Sequence, residues 1–181
     1  MTNELFLRRL RDNTELKSFD CVNSELNDFL FSDAKKHQEE CIAQTYLIVS
    51  NEEILAYWCY LNDKISVSDM NGNRESFIKR IASRLGREIK DKEYESFPAV
   101  KIGRIAITAK YQRSKDIRLG TYIINYTKQL FVSNNRTGCR FITVDAFREA
   151  IPFYLKNGFE FISSRDRKSE TRQMYCDLLQ L

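Results

Sequence analysis

The run Arg113-Ser114-Lys115-Asp116-Ile117-Arg118-Leu119-Gly120-Thr121 places three cations and a glycine at the start of the strongest helical pattern in the chain. The first N–H groups of a helix have no partner inside it, so they are a ready seat for an anion. A glycine there lets the anion approach the backbone closely. The chemistry on offer is phosphate binding, although a basic helix start can equally be a solvated surface. The six glycines, at positions 72, 86, 103, 120, 138 and 158, limit which phosphate chemistry. Dinucleotide turns and Walker loops need at least two glycines within a few residues, and this chain has no such pair. His37 is the single histidine. Its isolation excludes two-histidine zinc fingers, H-E-x-x-H sites and three-histidine zinc sites, so no metal is expected.

Nucleophilic cysteine chemistry is poorly supported. Cys21, Cys41, Cys59, Cys139 and Cys176 are odd in number and widely spaced, with no C-x-x-C. They read as reduced, mostly buried thiols of a cytoplasmic protein. A cysteine nucleophile would want a base beside it, and His37 is the only imidazole. Candidate general bases are Glu149, Asp145 or a chain of waters, and His37 is a poor one. Arg104 could orient a substrate, bind phosphate or pair with an acid.

Charge is divided along the chain. Residues 1–99 hold 14 Lys and Arg against 18 Asp and Glu, a net of −4; residues 100–181 hold 15 against 7, a net of +8. A basic C-terminal half suits an anionic partner, either cofactor phosphates or a nucleic acid. The length of 181 residues, 43% apolar and 30% charged, is that of one globular domain. Mean hydropathy is −0.48, and no apolar run approaches the ~20 residues of a membrane span. The N-terminus, MTNELFLRRLRDN, shows no apolar h-region and no small-residue cleavage site, so secretion is not expected.

These residues need elements to position them. Leu5–Leu10 reads as a first strand. Leu26, Phe29, Leu30, Ala34 and His37 share one face of a helix capped by Asn23 or Ser24. Thr45–Val49 and Ile54–Leu61 read as a hairpin joined at Ser50–Glu53. Residues 62–98 are polar, contain a helix near Phe77–Leu85, and read as an insertion with too few apolar residues for a core of its own. Val100–Thr108 is a strand, Ile117–Val132 the long helix and Phe141–Val144 a short apolar strand. A short helix from Glu149 to Lys156 carries Pro152 in its first turn and ends at Gly158. Phe159–Ile162 and Gln173–Leu179 are the last strands, separated by a charged turn at Arg165–Glu170. The order predicts an α/β protein (of α+β type), a single domain over 1–181 with an insertion at about 62–98.

Three segments resemble the GNAT superfamily of N-acetyltransferases. KIGRIAITAKYQRSKDIRLGTYII (101–124) is similar to that family's fourth strand, pyrophosphate loop and following helix. FITVDA (141–146) and AIPFYLKNGFEFI (150–162) resemble its fifth strand and its A-x-x-F-Y-x-x-x-G-F helix. FDCVNSELNDFLFSDAKKHQ (19–38), with the ending QMYCDL (173–178), resembles the branch of toxin–antitoxin toxins that acetylate aminoacyl-tRNA. The pyrophosphate loop departs from the family's Q/R-x-x-G-x-G/A pattern. It fits best with a three-residue insertion that keeps Gly120 in the final position and puts Arg118 in place of the first glycine.

The resemblance implies a mixed, mostly antiparallel central sheet flanked by helices, the GNAT-like acyl-CoA N-acyltransferase fold. It implies acetyl-CoA as co-substrate and a primary amine as acceptor. Ile105, Ala106 and Ile107 would hold the pantetheine arm through their main chain, with one amide polarising the thioester oxygen. Arg113, Lys115, Arg118, Leu119, Gly120 and Thr121 would take the pyrophosphate. Phe153 would pack beside the site and Lys156 would touch cofactor phosphate. Tyr154 would be the catalytic acid, protonating the departing thiolate. The implied partners are acetyl-CoA, tRNA and a ribbon-helix-helix antitoxin, with a homodimer admitted and no membrane. Acetylation of a small-molecule or protein amine, or a non-catalytic coenzyme A-binding module, fits the same motifs.

Overall fold

A computed structural model describes residues 4–51, 53–70, 74–90, 93–114, 116–133 and 137–180. Its strands are β1 (Phe6–Arg9), β2 (Gln44–Ser50), β3 (Glu53–Ser66), β4 (Ser96–Ile107), β5 (Phe141–Phe147), β6 (Glu160–Phe161) and β7 (Thr171–Asp177). They form one sheet in the order β1-β2-β3-β4-β5-β7-β6. The β1–β2, β2–β3, β5–β7 and β6–β7 pairs are antiparallel, and β4–β5 is parallel. Helices α1 (Ser24–Asp28), α2 (Ala34–Glu39), α3 (Arg74–Leu85), α4 (Leu119–Ser133) and α5 (Ile151–Lys156) flank it. This is the mixed, mostly antiparallel arrangement that the family resemblance implied. Among the described residues, no helix is long and apolar enough to cross a membrane.

The chain divides into two compact units. The first holds residues 1–61 and 102–126, and the second holds 62–101 and 127–181.

In the first unit, the helical face read from the sequence does bury. Asn23 caps α1, its Oδ1 accepting from the Leu26 N–H at 3.1 Å. The helical path continues through a wider π turn at Phe29–Asp33 into α2. Phe29, Leu30 and Ala34 pack with Leu47, Val49, Tyr57, Cys59 and Ala106. A fully buried side chain of this kind contributes about 1.5–3 kcal/mol. The hairpin β2–β3 closes with Ser50 opposite Glu53 and carries a register shift at Ile48/Val49.

The second unit shows why residues 62–98 need no core of their own. β3 does not stop at Leu61 but runs on to Ser66, and β4 opens at Ser96 before Pro98. Asn62, Asp63 and Lys64 read as loop because they are polar, yet Ile65, Val67 and Met70 beyond them are buried. The amphipathic α3 sinks Phe77 and Ile81 among Phe97, Ala99, Phe141 and Tyr175. Phe77 meets the Phe97, Phe141 and Tyr175 rings at 5.5–6.0 Å between centroids. The stretch therefore completes the core of this unit.

Smaller differences are at element ends. β5 extends through Asp145 to Phe147, and the turn before α5 is a 3-10 turn at Arg148–Ala150. β6 is only two residues, Glu160–Phe161, and β7 starts at Thr171.

Candidate active site

The first unit carries the end of β4 and the start of α4. β4 brings Ile105, Ala106 and Ile107 to its end, with Ala106 buried and the two isoleucines half-buried. Strand alternation puts Arg104 on the face of Ala106. There its guanidinium lies 4.0 Å from the centre of the Phe29 ring, so the side chain is committed to a cation–π contact. Gly103 faces the other way, exposed. A Cβ at Gly103 would stand 3.0 Å from Leu61 Cδ2 and 3.2 Å from Cys59 Sγ, so β3 approaches β4 closely here.

A knot of polar contacts fixes where β4 ends. Gln112 Nε2 donates to the carbonyls of Ile107 at 2.9 Å and Cys21 at 2.8 Å. The Ala109 N–H donates to the Asp20 carbonyl at 2.8 Å. Asn27 ties the same segment. Its Oδ1 accepts from the Cys21 N–H at 3.0 Å, and its Nδ2 donates to Asp20 Oδ1 at 2.9 Å. The Val22 N–H and then the Asn27 amide hold the Asp20 carboxyl below the usual carboxylate range. The segment FDCVNSELN thus buttresses the strand end.

The loop after the strand turns through Arg113, a non-glycine residue at φ 57. Ser114 Oγ accepts from the Ile117 N–H at 3.2 Å. α4 then begins at Leu119, two residues later than the sequence suggested, with the Tyr122 N–H bonded to the Arg118 carbonyl at 2.9 Å. Leu119, Gly120 and Thr121 therefore form the first turn, whose N–H groups have no carbonyl within the helix. Leu119 and Gly120 are buried, while Arg113 and Arg118 are exposed beside that turn. Lys115 lies outside the described residues.

The second unit carries Tyr154. Pro152 stands in the first turn of α5, where a missing N–H costs nothing. Tyr154 is 6% exposed, wedged against Phe153 and Phe159 at centroid distances of 5.1 and 5.2 Å. Burial pushes its phenol up to about 12. Gly158, at φ +81, ends the helix. The Phe159 N–H returns to the Tyr154 carbonyl at 3.0 Å, and Lys128 Nζ donates to the Asn157 carbonyl at 2.7 Å. The Tyr154 backbone is therefore fixed from both ends. Phe153 is half-buried, and Lys156 is exposed.

The candidate bases fare differently. Asp145 is ion-paired to Lys101. Glu149 is exposed in the 3-10 turn. His37 packs edge-on against Phe29 at 5.4 Å, a structural placement. All five cysteines are free; Cys21, Cys59 and Cys176 are buried, and only Cys41 is exposed. Desolvation pushes the Cys21, Cys59, Cys139 and Cys176 thiols up, away from the nucleophilic thiolate. Among the described residues, no group of His, Cys, Asp and Glu could hold a metal ion.

One feature of the second unit escaped sequence reasoning. The parallel β4–β5 ladder pairs Ala99, Val100 and Lys101 with Phe141, Ile142 and Thr143. A polar pocket opens at its last rung, lined by Asp63, Lys101, Thr143, Asp145, Ile162 and Gln173 among others. A charged residue at alternate positions of otherwise apolar strands was the available signal.

No family profile matches the sequence, and no curated protein matches it. Solved structures do. A bacterial toxin superposes with a TM-score of 0.73 at 15% identity, covering 98% of this chain and 93% of its own. AtaT complexed with acetyl-methionyl-tRNAfMet gives 0.68 at 20% identity, covering 94% of each chain. AtaTR bound with acetyl-CoA gives 0.70 at 19% identity, covering 99% of this chain and 96% of that one. At such identities the likeness establishes architecture alone: the chain has the GNAT-like fold of these structures over nearly its whole length.

Proposed function

We propose that the chain is an acetyl-CoA-dependent N-acetyltransferase of a primary amine, and that the amine is the amino group of an aminoacyl-tRNA. The observation that carries this is the fold likeness over 94% or more of both chains to proteins solved with acetyl-CoA and with an acetylated aminoacyl-tRNA. The basic C-terminal half suits the tRNA.

In this reading the main chain of Ile105, Ala106 and Ile107 takes the pantetheine arm. The first turn of α4 (Leu119, Gly120, Thr121), with Arg113, Lys115 and Arg118, takes the pyrophosphate. Phe153 packs beside the cofactor, and Lys156 meets its phosphate. Acetyl-CoA supplies the activated carbonyl. The neutral amine nitrogen bonds to that carbon, the carbon–sulfur bond breaks, and the sulfur leaves as a thiolate. Tyr154 is the acid that presents its proton to that sulfur and recovers one from solvent. Its raised pKa keeps the phenol loaded throughout the neutral range. The amine's proton goes to water or a carboxylate. An antitoxin partner and a cytoplasmic location follow from the same reading, as AtaT has been solved bound to the C-terminus of the antitoxin AtaR.

The test is thermal melting with and without acetyl-CoA, then turnover of wild type and Tyr154→Phe on aminoacyl-tRNA. Acetyl-CoA should raise Tm in both proteins. The variant should lose roughly 100-fold or more in kcat, with the KM for acetyl-CoA held. A wild type that acetyl-CoA does not stabilise rejects the cofactor. Turnover equal in both proteins rejects Tyr154 as the acid.

A further inference from the structure

One residue beside the end of β4 carries two costs at once. Val22 is held at φ 71. A β-branched side chain is an outlier in that region, because its Cβ crowds the following carbonyl oxygen. Val22 is also 75% exposed, the highest figure among the described large apolar side chains. A lone exposed apolar residue needs no explanation. A strained one persists only where its surroundings over-determine the backbone, and such positions cluster where ligands are held.

The surroundings do over-determine it. The Val22 N–H donates to Asp20 Oδ1 at 2.7 Å, and the same oxygen accepts from Asn27 Nδ2 at 2.9 Å. On one side the Cys21 N–H donates to Asn27 Oδ1 at 3.0 Å; on the other, Asn23 Oδ1 accepts from the Leu26 N–H at 3.1 Å. The carbonyls are tied as well. That of Asp20 accepts from the Ala109 N–H at 2.8 Å and from Thr108 Oγ1 at 3.2 Å. That of Cys21 accepts from Gln112 Nε2 at 2.8 Å, the nitrogen that also reaches the Ile107 carbonyl. Val22 is thus fixed against the turn that leads from the end of β4 towards the first turn of α4. That turn has a left-handed residue of its own in Arg113, next to Gln112.

Neither the strain nor the exposed isopropyl group stabilises the free chain. Both are offset if an apolar part of a ligand covers the side chain. A ligand that spans this turn is coenzyme A in the acetyl-transfer reading above. Its branched apolar group, the dimethyl carbon of the pantetheine arm, follows directly on the pyrophosphate. In chemical order it lies between the phosphates assigned to α4 and the amides assigned to Ile105, Ala106 and Ile107. We propose that Val22 is a cofactor-contacting residue, whose isopropyl group packs against that dimethyl carbon. The identity of the ligand rests on the acetyl-transfer reading.

The test uses three proteins and two ligands. Val22→Asn removes the apolar group and tolerates the left-handed backbone, whereas Val22→Ile keeps the branch and the contact. Acetyl-CoA carries the arm; 3′-phospho-ADP keeps the nucleotide and the pyrophosphate without it. Binding of each to the full chain is read by calorimetry, and the stability of the ligand-free chain by urea unfolding. Val22→Asn should bind acetyl-CoA roughly tenfold more weakly, bind 3′-phospho-ADP as the wild type does, and unfold at higher urea. Val22→Ile should hold the acetyl-CoA affinity within about twofold. A merely structural residue would not weaken one ligand while its loss raises stability. Unchanged acetyl-CoA binding in Val22→Asn, equal losses for the two ligands, or a lower urea midpoint would each overturn the contact and leave the acetyl-transfer reading intact. A wild type that binds neither ligand rejects that reading, and the contact with it.

Discussion

At the scale of single residues, burial decides which side chains can react. Tyr154 and Tyr175 are both pushed up to about 12 by desolvation, and Tyr57 is pushed up further for the same reason. A folded-state pKa above the unfolded one means that the unfolded chain loses its proton first. The stabilisation is complete below pH 10 and is lost as pH rises through about 12, on the order of 1 kcal/mol per pH unit for each fully buried phenol. The raised thiols act in the same direction from a lower pH, so Tm should stay level from pH 7 to about 8, decline as the thiols of the unfolded chain ionise at about 8.5, and fall steeply above 10. Tyr154→Phe should soften that fall, since it keeps the ring and removes the proton. An alkaline profile identical in the two proteins would contradict the burial of this phenol. Thiols sort by the same rule. A disulfide reagent should label Cys41 rapidly, the half-buried Cys139 more slowly, and Cys21, Cys59 and Cys176 only on unfolding, and Cys41→Ser should abolish the fast phase. Labelling of a third thiol in the folded chain would mean that a buried cysteine is open.

At the scale of elements, turns and caps hold the site residues in place. Gly158 sits at φ +81 and ends α5 four residues after Tyr154. Gly158→Ala forces a Cβ into the left-handed region and should destabilise by about 1–2 kcal/mol. Urea unfolding would read it, and a neutral result would mean that the turn can relax. Asn23 caps the helical path of α1, and its loss to alanine should cost about 1 kcal/mol. Elements of this kind were legible because their signals are local. Leu26, Phe29, Leu30 and Ala34 recur at helical spacing, and Gly158 follows a helix that opens on Pro152. The extension of β3 was not legible, because Asn62, Asp63 and Lys64 look like a loop until Ile65 is known to be buried. The π turn at Phe29–Asp33 leaves the apolar spacing almost unchanged, so periodicity does not reveal it. The polar pocket at the last β4–β5 rung was not legible, because Asp145 read only as a candidate base and Asp63 and Thr143 are 80 residues apart and meet only through strand order. The fate of Arg104 was open for the same reason, since Phe29 reaches it from a distant helix.

At the scale of the whole molecule, charge is the property that no single element holds. The +8 of residues 100–181 includes Arg148, Arg165, Arg167 and Lys168, exposed on one stretch of the second unit. Their backbone frame is fixed. Arg148 Nε donates to the Ser169 carbonyl at 3.0 Å, and its Nη2 donates to that of Arg167 at 2.7 Å. Arg172 Nε donates to Asp166 Oδ1 at 2.7 Å, which holds the 3-10 turn of Arg165–Lys168 in place. Cations on a rigid frame lose little entropy when a phosphate meets them. If all four meet tRNA phosphates, binding should fall with a log–log salt slope of about −3, or roughly 50- to 150-fold between 50 and 200 mM salt. The KM for aminoacyl-tRNA should rise accordingly. The KM for a small amine such as glycinamide, which touches no phosphate, should change only through screening of its single charge, a few-fold at most. Charge reversal at Arg167 and Lys168 should flatten the tRNA slope by about two and leave glycinamide turnover as it was. Equal salt dependence for the two acceptors would mean that the basic half of the chain is a solvated surface and that the acceptor carries no nucleic acid.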